Sequence, residues 1–122
     1  MGTKLGIISF TEHGSRLNSQ LLALLEGRGY VCEGYAMRKY AKRYRLHPLE
    51  QSAGDWAGEM FARMDAVLFI GAAGIAVRSI APHLKGKEQD PAVVVMDERG
   101  VFVISLLSGH LGGANELAGT LA

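Results

Sequence analysis

Residues 66–74 read AVLFIGAAG, and this stretch decides the fold. Ala66 to Ile70 is apolar without alternation, so both faces of the segment must be covered, as in a buried parallel strand. Gly71, Ala72, Ala73 and Gly74 then form a small-residue turn. A helix is expected over residues 75–84, and Pro82 should kink or end it. Strand, tight turn and helix in this order are the repeating unit of an α/β domain.

The flanking sequence extends the same pattern. Upstream, LGIISF at residues 5–10 reads as a second buried strand. Leu17, Leu21, Leu24 and Leu25 then recur at helical spacing until Gly27 and Gly29 stop them. Residues 30–37 suit a further strand. The run RKYAKRYR at residues 38–45 is expected as a helix with Tyr40 and Tyr44 on one face. Another helix is expected over residues 52–64, where Trp56, Met60 and Met64 stand four apart.

Downstream, Pro91 opens a strand at residues 92–96, and DERG at residues 97–100 reads as a hairpin turn into residues 101–105. SGHLGGAN at residues 108–115 is a glycine-rich loop opening a last helix. The whole predicts a single three-layer α/β/α domain over residues 1–122, with a mostly parallel sheet and a late β-hairpin. The helical pattern is still running at Ala122, so the chain is expected to be one part of a longer protein.

Composition narrows the function. The chain has 122 residues, of which 48% are apolar, enough for one buried core. Its net charge of +1 argues for neither a nucleic-acid binder nor a membrane-surface protein. The apolar run near the start is shorter than a secretory h-region, and no run approaches the roughly 20 apolar residues that span a bilayer. The single cysteine, Cys32, has no internal disulfide partner and reads as a small core residue in a reducing compartment. A cytoplasmic protein is expected.

Two turns are candidates for ligand chemistry: GAAG from Gly71 to Gly74, and SGHLGGAN from Ser108 to Asn115. At a helix start the leading backbone amides lack intrahelical acceptors and the local dipole is positive, so anions settle there. Both turns are equally readable as ordinary tight connections, and neither fits a Walker loop or G-x-G-x-x-G. Gly109, Gly112 and Gly113 allow close approach. His110 is the acid/base candidate, Ser108 and Asn115 offer hydrogen bonds, and Glu116 supplies a carboxylate.

Asp97 is either a turn residue or a carboxylate at the rim of the same cleft, and so is Glu98. Arg78 can meet a substrate carboxylate bidentately or form a surface ion pair. His13 either faces the cleft or caps the first helix. The four histidines lack ligand spacing, so no metal site is expected. The basic run reads as a solvated helix face, as a nucleic-acid contact, or as the cations and aromatic surface that a polycarboxylate ligand needs.

Three blocks taken together resemble the CbiG family, in its amino-terminal domain: GAAGIAVRSIAP at residues 71–82, KEQDPAVVVMDE at residues 87–98 and VISLLSGHLGGAN at residues 103–115. They lie in the family's order, within one continuous run from Gly71 that covers somewhat under half of the chain. The resemblance implies anaerobic cobalamin biosynthesis and the reaction of a cobalt-precorrin-5A hydrolase. That enzyme opens the δ-lactone and releases acetaldehyde to give cobalt-precorrin-5B. It implies no cofactor, since the cobalt is carried by the substrate.

The partners it implies are the corrinoid, a carboxy-terminal domain of the same protein and possible neighbours in the pathway, with no nucleic acid or membrane. Within that frame His110, Glu116 and Asp97 are the catalytic candidates. Gly71, Gly74, Arg78, Ser108, Gly109, Gly112, Gly113 and Asn115 are the substrate-binding candidates. The alternative is a corrinoid-binding or docking domain whose chemistry lies in the carboxy-terminal part.

Overall fold

A computed structural model describes residues 2–107, 117 and 119–121. Six strands form one sheet: β1 (Lys4–Ser9), β2 (Val31–Ala36), β3 (His47–Pro48), β4 (Ala66–Ile70), β5 (Ala92–Met96) and β6 (Val103–Leu107). They lie in the order β3-β2-β1-β4-β5-β6. The first five are parallel, and β6 returns antiparallel to β5. The expected α/β class, the mostly parallel sheet and the late hairpin are all present.

Alternation along the strands sorts the core into two halves. Leu5, Ile7, Leu68, Ile70, Val94 and Met96 face one side, where they pack with Leu21, Leu25 and Leu117. Ile8, Val67, Phe69, Val93 and Val95 face the other, against Trp56, Met60, Ala76 and Ile80. Helix α1 (Glu12–Glu26) therefore covers one face, while α3 (Ala53–Arg63) and α4 (Ala73–Ile80) cover the other. Strands buried on both faces must read as continuous apolar runs, which is why AVLFI was so legible.

Gly6 has a packing role in this arrangement. A Cβ there would come within 2.7 Å of Met60 Sδ, so glycine lets α3 lie close on β1.

Several boundaries differ from expectation; α4 begins at Ala73, so Gly74 of the expected turn is already helical, and β6 runs on to Leu107. The basic run holds only a short helix, α2 (Arg38–Ala41), and then turns. Leu46 N–H bonds back to the Ala41 carbonyl, and Arg45 takes a left-handed backbone with φ 58°. That turn feeds β3, a two-residue strand too short to carry a periodic signal. Helix α4 stops at Ile80 and tightens into a 3-10 turn (Ala81–His83), because Pro82 supplies no N–H to continue an α-helix. The second hairpin strand begins at Val103, since residues 101 and 102 belong to the turn.

Candidate functional site

The sheet winds outward from β1 in one direction and from β4 in the other, so its switch point lies between them. In such sheets ligands bind outside the carboxyl ends of the strands at this point. The register sets Ser9 beside Ile70, Ile70 beside Met96, and Ser9 beside Ala36. Phe10, Gly71, Asp97 and Met37 stand one residue beyond that row, at a single edge of the sheet.

Gly71 donates its N–H to the Met96 carbonyl at 2.9 Å, so its amide extends the ladder to β5 and is not offered to a ligand. The start of α4 is open: Ala72 occupies the N-cap and no side chain among the described residues caps it. Arg78 folds back over this turn, with Nη2 3.5 Å from where a Gly74 Cβ would stand. Arg78 is exposed and makes no ion pair among the described residues, so the expected alternative of a surface pair is not found. A cation beside an uncapped helix start suits a carboxylate.

Across the switch point, Thr11 is the N-cap of α1. Its Oγ1 accepts from Gly14 N–H at 3.0 Å and donates to Glu98 Oε2 at 2.6 Å. The cap is Thr11 and not His13, which stands exposed in the first turn of α1. Asp97 takes the role of a turn residue: its carboxylate accepts from Phe102 N–H at 2.6 Å and from Arg99 N–H at 3.2 Å. The Phe102 amide above all holds its carboxyl below the ordinary carboxylate range, so Asp97 stays ionised.

Beneath this rim lies a buried polar cluster that the sequence reading missed. Ser9 and Ser15 share a hydrogen bond at 3.0 Å, and Asn18 Nδ2 donates to Ser9 Oγ and to the Tyr35 carbonyl. All three residues are fully buried, and Asn18 Oδ1 has no partner among the described residues. The spacing of Ser9, Ser15 and Asn18 carries no motif, and only the return of β1 into α1 brings them together. Thr11 was readable in principle, as a threonine between an apolar strand and a helical pattern.

Of the other described histidines, His83 Nε2 sits 2.7 Å from the Gly54 carbonyl, tying the 3-10 turn to α3. His47 lies on the edge strand against Tyr35, with ring centroids 5.1 Å apart. No group of three or more His, Cys, Asp or Glu among the described residues is placed to hold a metal ion. No helix among them is long and apolar enough to cross a membrane.

Gly71 and Asp97 thus stand side by side at the carboxyl edge, and Gly74 and Arg78 follow Gly71 on α4. Ser108, Gly109, His110, Gly112, Gly113, Asn115 and Glu116 lie outside the described residues. The strand before them runs the other way: β6 ends at Leu107, which pairs with Val93 toward the amino edge of the sheet.

Fold and rim together define a doubly wound α/β domain with a cation and an open helix start at its switch point. The chain belongs to the Cobalamin synthesis G N-terminal family, whose model matches residues 55–122. It is 55% identical over 75 residues to a cobalt-precorrin-5A hydrolase of Salmonella typhimurium, covering 62% of this chain and 21% of that protein. It is 35% identical over 120 residues to a cobalt-precorrin-5A hydrolase of Priestia megaterium, covering 95% and 31%. The structure of a cobalamin biosynthesis protein G homologue from Sulfolobus solfataricus superposes with a TM-score of 0.73 at 26% identity, covering 97% and 33%. The chain spans no more than about a third of these relatives.

Proposed function

We propose that this chain is the amino-terminal domain of a cobalt-precorrin-5A hydrolase, acting in the cytoplasm with the remainder of the family protein and alongside other enzymes of the pathway. The similarity to the Priestia megaterium hydrolase over 95% of the chain carries this reading. The reaction opens a δ-lactone with water and releases a two-carbon fragment as acetaldehyde. It needs an acid/base group and donors for the developing oxyanion.

In this reading His110 is the acid/base, and Glu116 is the carboxylate of the catalytic set. The amides of Gly109, Gly112 and Gly113, with Ser108 and Asn115, stabilise the negative charge. Gly74 and Arg78 hold a peripheral carboxylate, for which the support is the open start of α4 and a guanidinium with no ion pair among the described residues. Asp97 joins the catalytic set only if it leaves the two hairpin amides it now accepts from.

A second reading is favoured by the direction of β6, which ends toward the amino edge, away from Arg78. There the domain holds the corrinoid and the rest of the family protein does the chemistry. Anaerobic incubation of the chain with cobalt-precorrin-5A, followed by mass analysis of the corrinoid, separates the two. Conversion by the wild type and none by His110→Ala supports the first. Binding without conversion supports the second, and no binding removes both.

A further inference from the structure

We infer that the basic turn of residues 38–45 is a binding surface for the peripheral carboxylates of a large polyanionic ligand, with Lys42 and Arg45 as its contacting cations. The inference rests on the reading that a carboxylate-bearing corrinoid reaches this domain, and it adds a second contact region remote in sequence from Arg78.

Placement comes first. β3 pairs only with Tyr35 and Ala36, the last two residues of β2, and it runs parallel to them. The chain therefore leaves β2 at the carboxyl edge and re-enters the sheet at the same level. The excursion between them, with all its charge, stays on the edge that holds the switch point.

Rigidity comes next. Ala36, Ala41 and Leu46 form a small buried cluster of their own, with Tyr44 and Leu22 packed against it. Arg43 pairs with Glu12 in the first turn of α1, and Tyr44 Oη donates to the same carboxylate at 3.4 Å. Arg38 pairs with Glu50. Two of the five cations are thus spent on holding the turn. Lys42 and Arg45 are exposed and have no ion pair among the described residues, and Lys39 has only the ring of Tyr40, 5.1 Å away.

The backbone supplies the third observation. Arg45 is the one non-glycine residue with positive φ among the described residues. A left-handed position is where glycine costs least, so arginine there carries a backbone cost that a role for its side chain would offset. Among the described residues the Arg45 side chain makes no hydrogen bond or ion pair that would explain its presence structurally. An outward cation on a fixed turn is what remains. Nucleic acid would use the same charge, but the net charge of +1 offers it no continuous field.

The test is titration of the chain with uroporphyrin, a tetrapyrrole bearing eight carboxylates, read by fluorescence, beside a thermal melt of each variant. Arg45→Gly is expected to melt at or above the wild-type temperature and to bind at least fivefold more weakly. Lys42→Gln should weaken binding similarly. If both variants bind like wild type while Arg78→Gln does not, the inference is overturned and the reading beneath it stands. A wild-type chain that binds no uroporphyrin overturns both. Tighter, steeply salt-dependent binding to duplex DNA replaces the ligand class and overturns the inference alone.

Discussion

Thr11 donates its hydroxyl to Glu98 at 2.6 Å while accepting the Gly14 amide, so a single oxygen caps α1 and ties it to the β5–β6 turn. The two residues are far apart in sequence and meet because β1 and β5 both end at the carboxyl edge. Their bond closes the rim above the switch point.

Replacing Thr11 by valine keeps the shape of the side chain and removes both hydrogen bonds. Loss of an N-cap costs about 1 kcal/mol, up to about 2. Thr11→Val should therefore lower the urea midpoint by that equivalent, and Thr11→Ser should restore most of it. A valine variant unfolding at the wild-type midpoint would show that the cap is energetically idle.

The central strands were legible because burial on both faces leaves no polar residue in AVLFI or AVVVM, and each ends at a glycine, aspartate or proline. Helix α3 was legible from Trp56 and Met60, both fully buried. The strand His47–Pro48 was not, because two exposed residues carry no period. The site was half legible. Arg78 beside Gly74 follows from helical spacing, since positions four apart share a face. The join of Thr11 to Glu98 depends on strand order, and the cluster of Ser9, Ser15 and Asn18 on the way β1 returns into α1; no local pattern encodes either.

Gly34 and Gly54 should respond in opposite directions to alanine. A Cβ at Gly34 meets Asn18 Oδ1 and Leu22 Cδ1 at 2.8 Å and Leu46 Cδ2 at 2.9 Å, a contact on three sides that no single rotamer relieves. Overpacking of this kind costs about 1–3 kcal/mol. A Cβ at Gly54, in the first turn of α3, has nothing nearer than Ser52 Oγ at 3.9 Å. Gly54→Ala should stabilise by about 0.4–1 kcal/mol through the unfolded chain. Chemical denaturation of both variants checks the pair, and a common sign would show that the packing around Gly34 yields.

Asp97 predicts an acid-sensitive hairpin. The Phe102 amide, followed by the Arg99 and Val101 amides, lowers its pKa below the ordinary carboxylate value. A depressed folded-state pKa gives stability that is present above the unfolded value, near 3.9. It is lost as pH falls through the lower, folded value. Asp97→Asn keeps an acceptor oxygen for the turn but has nothing to titrate. Its melting temperature should fall less than that of wild type between pH 6 and pH 3, in circular-dichroism melts. Parallel curves would place the acid sensitivity on other carboxylates, such as Glu33, whose pKa the Arg63 guanidinium lowers.

Cys32 runs the opposite way. Burial, with Glu26 adding a smaller repulsion, raises its thiol to about 11 from an ordinary 9.0. Thiolate is the reactive form, so near neutral pH the folded protein holds about a hundredfold less of it than a free thiol. A thiolate of higher pKa is also the stronger nucleophile, so alkylation by iodoacetamide at pH 8 should be slower by about tenfold in the native chain and ordinary in urea. The same shift has a consequence for stability. A raised folded-state pKa gives stability that is full below the unfolded value and lost as pH climbs through the folded one. The wild type should therefore weaken between pH 9 and pH 11 more than Cys32→Ser does. Rapid native alkylation at pH 8 would mean that β2 opens to solvent at its Cys32 end, and the alkaline difference between the two proteins should then vanish with it.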